Sequence, residues 1–431
     1  MEYRSAIQAH PNLNKPTTES TAHSETIFKG AGAETTEAPF LSIFDPGFDY
    51  ESAEVAEARE ANWYAQTPFG PMVLRYEQAA EVLRDRRFVR GGRQYMHKQG
   101  IVAGPLYDWF TEALHSRDGG DHTRLRGLVN HVFSRRFVEG LRPFIRSTTE
   151  RLATEIADGE EECDFIAAFA KRTAGLVMCQ MFGFPIEDYE LFTMWLDDLG
   201  LVFNTVSERA RSEAAVVGMS EYVTELIEQR RKNLGDDLLS SLITSQEAGD
   251  RLTMKELHDM VLLLLWAGQD TTTKQFGRAL TAFSEHVEQW DILAARPELA
   301  EQAVEEVCRW SPQARVNFRY AAEDVTMHGL EIPADTMLLI STVAANRDPR
   351  VYENPEVFDI TVPRSAPQLV FGGGVHVCIG MSVARLELAE GLVALARRFC
   401  PPTVTGEIRW PPATAMIHGP EFLPVKFTKR V

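Results

Sequence analysis

The sequence predicts a mainly α-helical fold with a small β portion. Apolar residues recur at helical spacing in seven segments, whereas strand-like segments are few. The clearest strand candidate is Met337–Val343, preceded by Val325–Met327 and by turn residues at 328–329 and 333–335. The predicted helices are Ala79–Arg84, Arg124–Phe133, Phe144–Ile156, Ser212–Lys232, Thr253–Ser284, Pro297–Arg309 and Met381–Arg398.

The domain organisation follows from composition along the chain. Residues 1–38 are rich in Thr, Ser, Glu and Ala and lack periodicity, which predicts a mobile tail. This segment carries Glu2, Arg4 and His10 and has no apolar core, so it is not typical of a secretory leader. Residues 39–431 contain neither an internal repeat nor a stretch that resembles a linker, so we expect them to form one domain.

Charge, hydropathy and cysteine content exclude several classes of function. The net charge of −18 argues against a nucleic-acid partner, which requires a basic surface. The longest apolar stretch, Met260 to Gly268, is too short to span a bilayer. We therefore expect a cytoplasmic protein that needs no membrane. An odd number of scattered cysteines also favours a reducing compartment. They are Cys163, Cys179, Cys308, Cys378 and Cys400.

One of these cysteines lies in a glycine-rich loop. The run is Phe371-Gly-Gly-Gly374-Val-His376-Val-Cys378-Ile-Gly380. Glycine lets the main chain approach a ligand closely and adopt positive φ. The helix predicted directly after the cysteine would add amide donors and a favourable dipole, which stabilise a thiolate relative to a thiol. The loop therefore suits a thiolate that meets a large flat ligand.

Taken alone, this loop leaves several interpretations open. A lone cysteine is commonly a small buried apolar side chain, and a glycine cluster is commonly only a loop. A phosphate-binding loop is excluded because no Gly-Lys-Ser/Thr follows the glycines. Zinc is disfavoured because His376 and Cys378 supply only two ligands. A cysteinate bound to haem iron, which promotes O–O cleavage, is one functional interpretation, and the loop alone favours it no more than the non-functional ones.

The long helix predicted at Thr253–Ser284 changes character near its middle. Its apolar run passes into Ala-Gly268-Gln-Asp270-Thr271-Thr-Thr, although glycine costs about 1 kcal/mol of helix propensity relative to alanine. A helix with a polar end would explain this pattern without a function. A helix opened over a reactive ligand explains it as well, because small residues leave room for dioxygen and an acid–alcohol pair manages protons. A hydroxyl there can also bond back to a carbonyl four residues earlier.

Two charged pairs have helical spacing. Glu306 and Arg309 are three residues apart and can pair, although an exposed pair contributes only a few tenths of a kcal/mol. His122 and Arg126 are four residues apart, and two donors on one helix face suit a carboxylate ligand. Each pair is equally compatible with an ordinary solvated helix surface.

In combination, these segments resemble the cytochrome P450 family. The cysteine loop matches the pattern Phe-x-x-Gly-x-His/Arg-x-Cys-x-Gly at every fixed position. The middle of the long helix matches Ala/Gly-Gly-x-Asp/Glu-Thr, and the charged pairs match Glu-x-x-Arg and His-x-x-x-Arg. The resemblance covers about residues 40–431 and implies that family's single, mostly helical fold. Haem would lie between the long helix and the helix that follows the cysteine loop.

The resemblance implies a role for each matched residue. Cys378 would be the axial ligand of iron in haem b, and Asp270 and Thr271 would relay protons and position water. The implied cofactor-binding residues, of which the first four would hold the propionates, are His122, Arg126, Arg319, His376, Phe371, Gly268 and Gly380.

The other matched residues would be structural or would form the pocket. Glu306 and Arg309 would be a buried pair that supports the haem loop, with Arg364 as its third member. Residues 90–106 would form a lid over the pocket. The residues expected to line the substrate side are Leu263, Trp266, Val316, Phe318 and Ile417.

The implied activity is that of a haem-thiolate monooxygenase. It would insert one oxygen atom of O2 into a hydrophobic small molecule by hydroxylation or epoxidation. Electrons would come from a separate ferredoxin and its reductase, with Arg126, Arg135 and Arg136 as candidates for the docking surface. We expect a monomer. The alternatives are a peroxide-driven or oxidative-coupling member of the family and a non-catalytic haem binder or sensor. The acid–alcohol pair argues against the peroxide-driven form.

Overall fold

The computed structural model describes residues 38–430 except 46, 202–208, 248–251 and 414. The tail predicted at residues 1–38 lies outside the described residues, apart from Ala38. Within the described part, the prediction of a mainly helical fold with a small β portion is confirmed. The helices are α1 Ala53–Ala61, α2 Tyr76–Arg84, α3 Gly92–Lys98, α4 Pro105–Glu112, α5 Gly119–Val132, α6 Arg135–Asp158, α7 Lys171–Phe182, α8 Tyr189–Gly200, α9 Arg209–Lys232, α10 Leu238–Glu247, α11 Met254–Glu285, α12 Val287–Ala295, α13 Ala300–Trp310, α14 Thr342–Asn346 and α15 Met381–Arg398. The strands are β1 Tyr64–Thr67, β2 Gly70–Val73, β3 Phe88–Val89, β4 Glu162–Asp164, β5 Val316–Ala321, β6 Val325–Met327, β7 Leu330–Ile332, β8 Met337–Ser341, β9 Thr403–Val404 and β10 Pro424–Lys426.

Two element boundaries differ instructively from the sequence predictions. Helix α6 begins at Arg135 and continues through Pro143, whereas the prediction began only after that proline. Pro143 is exposed, so water can satisfy the carbonyl that loses its helical donor. Strand β8 stops at Ser341, because the hydroxyl of Ser341 accepts a hydrogen bond from the amide of Ala344 and caps α14.

Ten strands form three small sheets in the described part of the chain. The largest has the order β1-β2-β8-β5-β3, in which only the β2–β8 pair is parallel. A three-stranded sheet has the order β4-β10-β9, and β6 pairs with β7. In the largest sheet, β5 presents Arg319 opposite Leu338 of β8, so this sheet positions one of the predicted site residues.

Helix α11 is the central element of the fold. It is 32 residues long, which corresponds to roughly 48 Å, and a capping box formed by Thr253 and Glu256 starts it. Its first half, with Leu257 to Leu265, packs into one apolar core. Its second half, with Phe276 to Phe283, packs into another core that includes α15. The polar middle of the helix therefore lies between two apolar cores.

No helix in the described part of the chain combines the length and hydropathy required to cross a bilayer.

A buried ion-pair network connects α13 to the segment that precedes the cysteine loop. Glu306 is 1 % exposed, and both of its carboxylate oxygens accept hydrogen bonds from Arg309 at 2.8 Å. Arg364 donates to the same two oxygens at 2.9 and 3.1 Å, as predicted. Burial alone would raise the pKa of Glu306, but the two guanidinium groups outweigh it and the pKa is lowered.

Replacing Glu306 tests the structural role of this network. Glu306→Gln removes the negative charge between two guanidinium groups, and unpairing a buried charge costs about 3 kcal/mol or more. We expect the free energy of unfolding in denaturant to fall by that amount. Glu301→Gln is the matched control, because Glu301 lies on the same helix and is exposed, and it should change stability by less than about 0.5 kcal/mol. Equal losses in the two variants would contradict the assignment.

Candidate functional site

A cavity of about 320 Å³ lies where the middle of α11 meets the Cys378 loop and the start of α15. It brings together residues that are far apart in sequence. The predicted site residues that line it are His122, Arg126, Leu263, Gly268, Thr271, Arg319, Phe371, His376, Cys378, Gly380 and Ile417. Those that do not line it are Trp266, Asp270, Val316 and Phe318.

The cysteine loop is held by backbone constraints. Gly374 has a φ of +64°, and a Cβ on it would lie 2.5 Å from the carbonyl oxygen of Leu83. The loop closes on itself through a 2.8 Å hydrogen bond from the amide of Cys378 to the carbonyl of Phe371. Only glycine combines a positive φ with the absence of a Cβ at position 374. The backbone of the loop, and with it the position of Cys378, is therefore fixed by contacts within the protein.

The surroundings of Cys378 partly favour a thiolate. Burial raises the pKa of the Cys378 thiol, whereas the amides of Gly380 and Met381 and the guanidinium groups of Arg126 and Arg385 oppose that rise. The net pKa is raised because burial outweighs these groups, although the amides at the helix start lower the pKa as predicted. A bound cation supplies what is missing, because coordination to a metal ion deprotonates a thiol.

A second cysteine, Cys308 of α13, also borders the cavity. Cys308 is 1 % exposed, and burial raises its pKa, with the nearby carboxylate of Glu305 adding to the rise. Cys378 lies deep in the protein but keeps exposed surface, and it is a cavity-lining residue. Of the two, Cys378 is therefore the accessible sulfur with donors directed at it.

Predicted propionate donors converge at one end of the cavity. Nε2 of His376 lies 2.8 Å from Oδ1 of Asp118, and the rings of His122 and His376 are 4.2 Å apart. Burial, helped by His376 and Arg126, lowers the pKa of His122 to about 4, so its ring is neutral at pH 7. Arg126 donates to the carbonyl of Val377 at 2.7 Å, which connects α5 to the cysteine loop.

Arg319 differs from the other buried arginines of the described chain. Five arginines are at most 5 % exposed. Four of them have a carboxylate oxygen within 3.9 Å, and these are Arg59, Arg278, Arg309 and Arg315. Arg319 has none within that distance among the described residues, and it donates only to the adjacent carbonyl of Phe318. Burial lowers its pKa to about 9. A buried guanidinium without a counter-ion is costly, so this end of the cavity suits an anionic ligand.

The middle of α11 adds a hydroxyl to the cavity. Thr271 donates from Oγ1 to the carbonyl of Ala267 at 2.8 Å, so the predicted hydrogen bond to a carbonyl four residues earlier is confirmed. The carboxylate of Asp270 accepts a hydrogen bond from Nζ of Lys274 at 2.7 Å. In this arrangement only Thr271 of the acid–alcohol pair borders the cavity.

Gly268 has a packing role that the sequence did not reveal. A Cβ at this position would lie 2.6 Å from the sulfur of Met178 on α7. The close contact between α11 and α7 therefore explains why position 268 is glycine. The same lack of a side chain also leaves space in the cavity. Met178 itself lines the cavity.

Three predicted pocket residues contribute instead to the packing around the cavity. The ring of Trp266 lies 5.6 Å from that of Trp109 and 5.9 Å from that of His115. Phe318 stacks on Tyr95 at 5.0 Å. Val316 is 4 % exposed and belongs to the same apolar core.

The structure adds cavity-lining residues that sequence reasoning missed. Arg90 and His115 lie at the polar end, and Arg90 is the one residue of the proposed lid segment that lines the cavity in the described chain. Glu387 of α15 is 2 % exposed, its Oε2 has no hydrogen-bond partner, and burial raises its pKa well above the ordinary value. No local pattern marks these residues, because their proximity comes from strand pairing and helix packing.

Comparison with known proteins identifies the family. The Cytochrome P450 family profile matches residues 72–411. The chain belongs to the cytochrome P450 family. It is 41 % identical over 411 residues to luteothin monooxygenase of Streptomyces thioluteus, which covers 94 % of this chain and 98 % of that protein. It is 36 % identical to mycinamicin IV hydroxylase/epoxidase of Micromonospora griseorubida, covering 83 % of this chain and 90 % of that protein.

Solved structures agree with this assignment. The myxobacterial cytochrome P450 CYP267B1, in complex with myristic acid, superposes with a TM-score of 0.82 at 31 % identity, covering 90 % of this chain and 99 % of that one. This P450 therefore has the family's fold, as predicted. It is a monooxygenase, and the two relatives named above are bacterial enzymes.

The residues present fit the family's haem-thiolate cofactor. An accessible cysteine sulfur borders the cavity, and at its polar end lies the buried guanidinium of Arg319, which has no carboxylate partner among the described residues. Haem carries two carboxylates, which are the kind of acceptor that this guanidinium lacks. Cys378 would hold the iron, and His122, Arg126, Arg319 and His376 are placed to hold the carboxylates.

The two glycines that flank the cysteine should respond differently to substitution. Gly374→Ala places a Cβ against the Leu83 carbonyl in a left-handed conformation, so we expect a loss of at least about 2 kcal/mol in the free energy of unfolding. Gly380 has a φ of −83°, and a Cβ there meets no protein atom within 4 Å. Gly380→Ala should therefore cost no more than about 1 kcal/mol, which is the usual cost of alanine at a helix N-cap. Denaturant unfolding measured by circular dichroism distinguishes the two. A larger loss in Gly380→Ala would contradict the argument.

Proposed function

We propose that this cytochrome P450 hydroxylates or epoxidises a hydrophobic small molecule, with haem b bound through Cys378. The observation that carries the proposal is that a single cavity joins an accessible cysteine, the hydroxyl of Thr271 and a cluster of carboxylate-binding donors. A binder without catalysis would require the sulfur and the donors but not the hydroxyl.

The cofactor is proposed as haem b because nothing in the sequence provides for covalent attachment. No Cys-x-x-Cys-His run is present. Haem bound through a thiolate supplies dioxygen binding and O–O cleavage. The protein's part is to hold the sulfur, to orient the cofactor through its carboxylates and to control protons. Arg385, whose guanidinium lies 4.8 Å from the centre of the Phe371 ring, adds positive charge near the sulfur.

Proton delivery is proposed for Asp270 and Thr271. Thr271 would hold a proton or a water at Oγ1 where the helix borders the cavity, because its hydroxyl already donates to the Ala267 carbonyl and keeps its lone pairs free to accept. Asp270 would bring protons from outside by rotating away from Lys274. Such a partly exposed pair is stabilised by only about 1 kcal/mol, so the rotation costs little.

A hydrophobic substrate is supported by the cavity wall and by the relatives. Leu263, Leu264 and Ile417 border the cavity, together with Met181 and Phe182. One solved relative is described in complex with myristic acid, and another relative is named for mycinamicin IV. A terpenoid, steroid, fatty acyl or polyketide compound fits these surroundings.

Electrons are proposed to come from a ferredoxin and its reductase. Arg135 and Arg136, at the start of α6, are exposed and could contact an acidic carrier. Arg126 is turned to the Val377 carbonyl and the cavity, so it contributes less to such a surface. A cytoplasmic location is supported by the free cysteines of the described chain, which include all five of the sequence.

The ligand assignment is tested by Cys378→Ser. We expect the ferrous, carbon monoxide-bound protein to lose the strongly red-shifted Soret band of thiolate ligation, because serine cannot supply the sulfur. The matched control is Cys308→Ala, which removes the other sulfur at the cavity and should keep the band. If Cys378→Ser retained the band, or if Cys308→Ala lost it, the assignment would be wrong.

The proton role is tested by Thr271→Ala. Removing Oγ1 should leave oxygen consumption in place while product formed per electron pair falls by roughly tenfold or more and hydrogen peroxide rises. Thr273→Ala is the control, because the Thr273 hydroxyl is buried without a partner and does not border the cavity. The measurements are oxygen uptake, peroxide and product in a reconstituted system. Unchanged coupling in Thr271→Ala would refute the role.

A further inference from the structure

Arg90 is a partly exposed cation that borders the cavity and has no assigned function. It directly follows β3, whose antiparallel register with β5 pairs Val89 with Tyr320. Continued by one residue, this register places Arg90 beside Arg319, so two arginines are cross-strand neighbours. Like charges in this position are destabilising unless something between them is negative.

Among the described residues, the hydrogen bonds of Arg90 involve its main-chain amide and Nε but not its two terminal nitrogens. Its Nε donates to the carbonyl of His115 at 3.2 Å, and its guanidinium carbon lies 4.9 Å from the centre of the Phe318 ring. Its main-chain amide donates to Asp118 at 3.1 Å. No carboxylate of the described residues forms an ion pair with its guanidinium, although the side chain is only partly exposed and lines the cavity.

The charges at this end of the cavity do not balance within the described protein. Arg90, Arg126 and Arg319 contribute three positive charges, and Asp118 is the carboxylate that acts on Arg90 and Arg319. His115 and His122 add no charge at pH 7, because burial lowers the pKa of His115 to about 3 and that of His122 to about 4. Two negative charges are missing, which is the number that a ligand with two carboxylates supplies.

We propose that Arg90 is a further cofactor-binding residue, which donates to a haem carboxylate beside Arg319. This inference rests on the proposed haem site, and it adds a residue that no matched family motif contains. The carboxylate would lie between the guanidinium groups of Arg90 and Arg319. Its negative charge would then reduce the repulsion between these two positive charges. The cation–π contact with Phe318 and the bond to His115 would keep the Arg90 side chain in place.

The experiment compares Arg90→Gln, Arg90→Lys and Arg93→Gln as purified haem proteins. Arg93 is exposed on the same segment and is the control. The first measurement is the rate of haem transfer to apomyoglobin. The second is the resonance Raman propionate-bending mode, which reports hydrogen bonding to the haem carboxylates. A purely structural change would not move that mode.

The expected result is specific to Arg90. Arg90→Gln should release haem roughly tenfold faster, which corresponds to the loss of one charge-assisted hydrogen bond, and should shift the propionate mode. Arg90→Lys should recover part of both effects, and Arg93→Gln should match the wild type.

Two outcomes would overturn the proposal. Arg90→Gln could release haem at the wild-type rate with an unshifted propionate mode, or it could release haem faster with the mode unmoved, which would indicate a structural role alone. A wild-type protein that lacks the thiolate Soret band would refute the proposed function as well, so the two failures are distinguishable.

Discussion

The carboxylate of Glu306 lies between the guanidinium groups of Arg309 and Arg364, almost without contact with solvent. Arg309 also donates to the carbonyls of Asn346, Pro355 and Val357, so the network fastens the irregular segment between β8 and the cysteine loop onto α13. Removing two arginines and an acid from water is costly unless every donor and acceptor is paired. Here the arginines also donate to backbone carbonyls, so the hydrogen bonds hold the segment before the cysteine loop in one conformation. The position of Cys378 at the cavity depends on that loop.

In contrast to the Glu306 network, the cavity contains arginines whose guanidinium groups have no carboxylate partner among the described residues. The chain as a whole carries a net charge of −18, and four of its five buried arginines in the described part have acidic partners. At the polar end of the cavity, however, the buried Arg319 and the partly exposed Arg90 have no ion-pair partner among the described residues. The arginines of the Glu306 network are thus paired with a carboxylate, whereas the guanidinium groups of Arg319 and Arg90 at the cavity have no carboxylate partner among the described residues.

Local sequence patterns predicted the parts of the site that one segment can encode. The cysteine loop, the hydroxyl of Thr271 with its bond to Ala267, and the pairing of Glu306 with Arg309 each depend on spacing along a single element, and each geometry is present. The predicted element boundaries were less accurate at residues that can either continue or end an element. Pro143 continues a helix because it is exposed, and Ser341 ends a strand because its side chain caps the next helix.

Residues that act across elements were not predictable in this way. Trp266 has the helical position expected of a pocket residue, yet packing against Trp109 and His115 places it outside the cavity lining. Met178 explains Gly268 only because α7 crosses α11 at that point. Arg90 meets Arg319 through the register of two strands that are separated by more than two hundred residues.

The sequence by itself thus determined the fold class and the family, and it predicted the roles proposed for Cys378, Asp270 and Thr271, because these depend on side-chain type and local spacing. Only the tertiary structure decided which cysteine is accessible, which donors lack counter-ions and where Arg90 lies. Burial and unpaired charge are properties of an environment built from distant segments. No stretch of the chain contains that information alone.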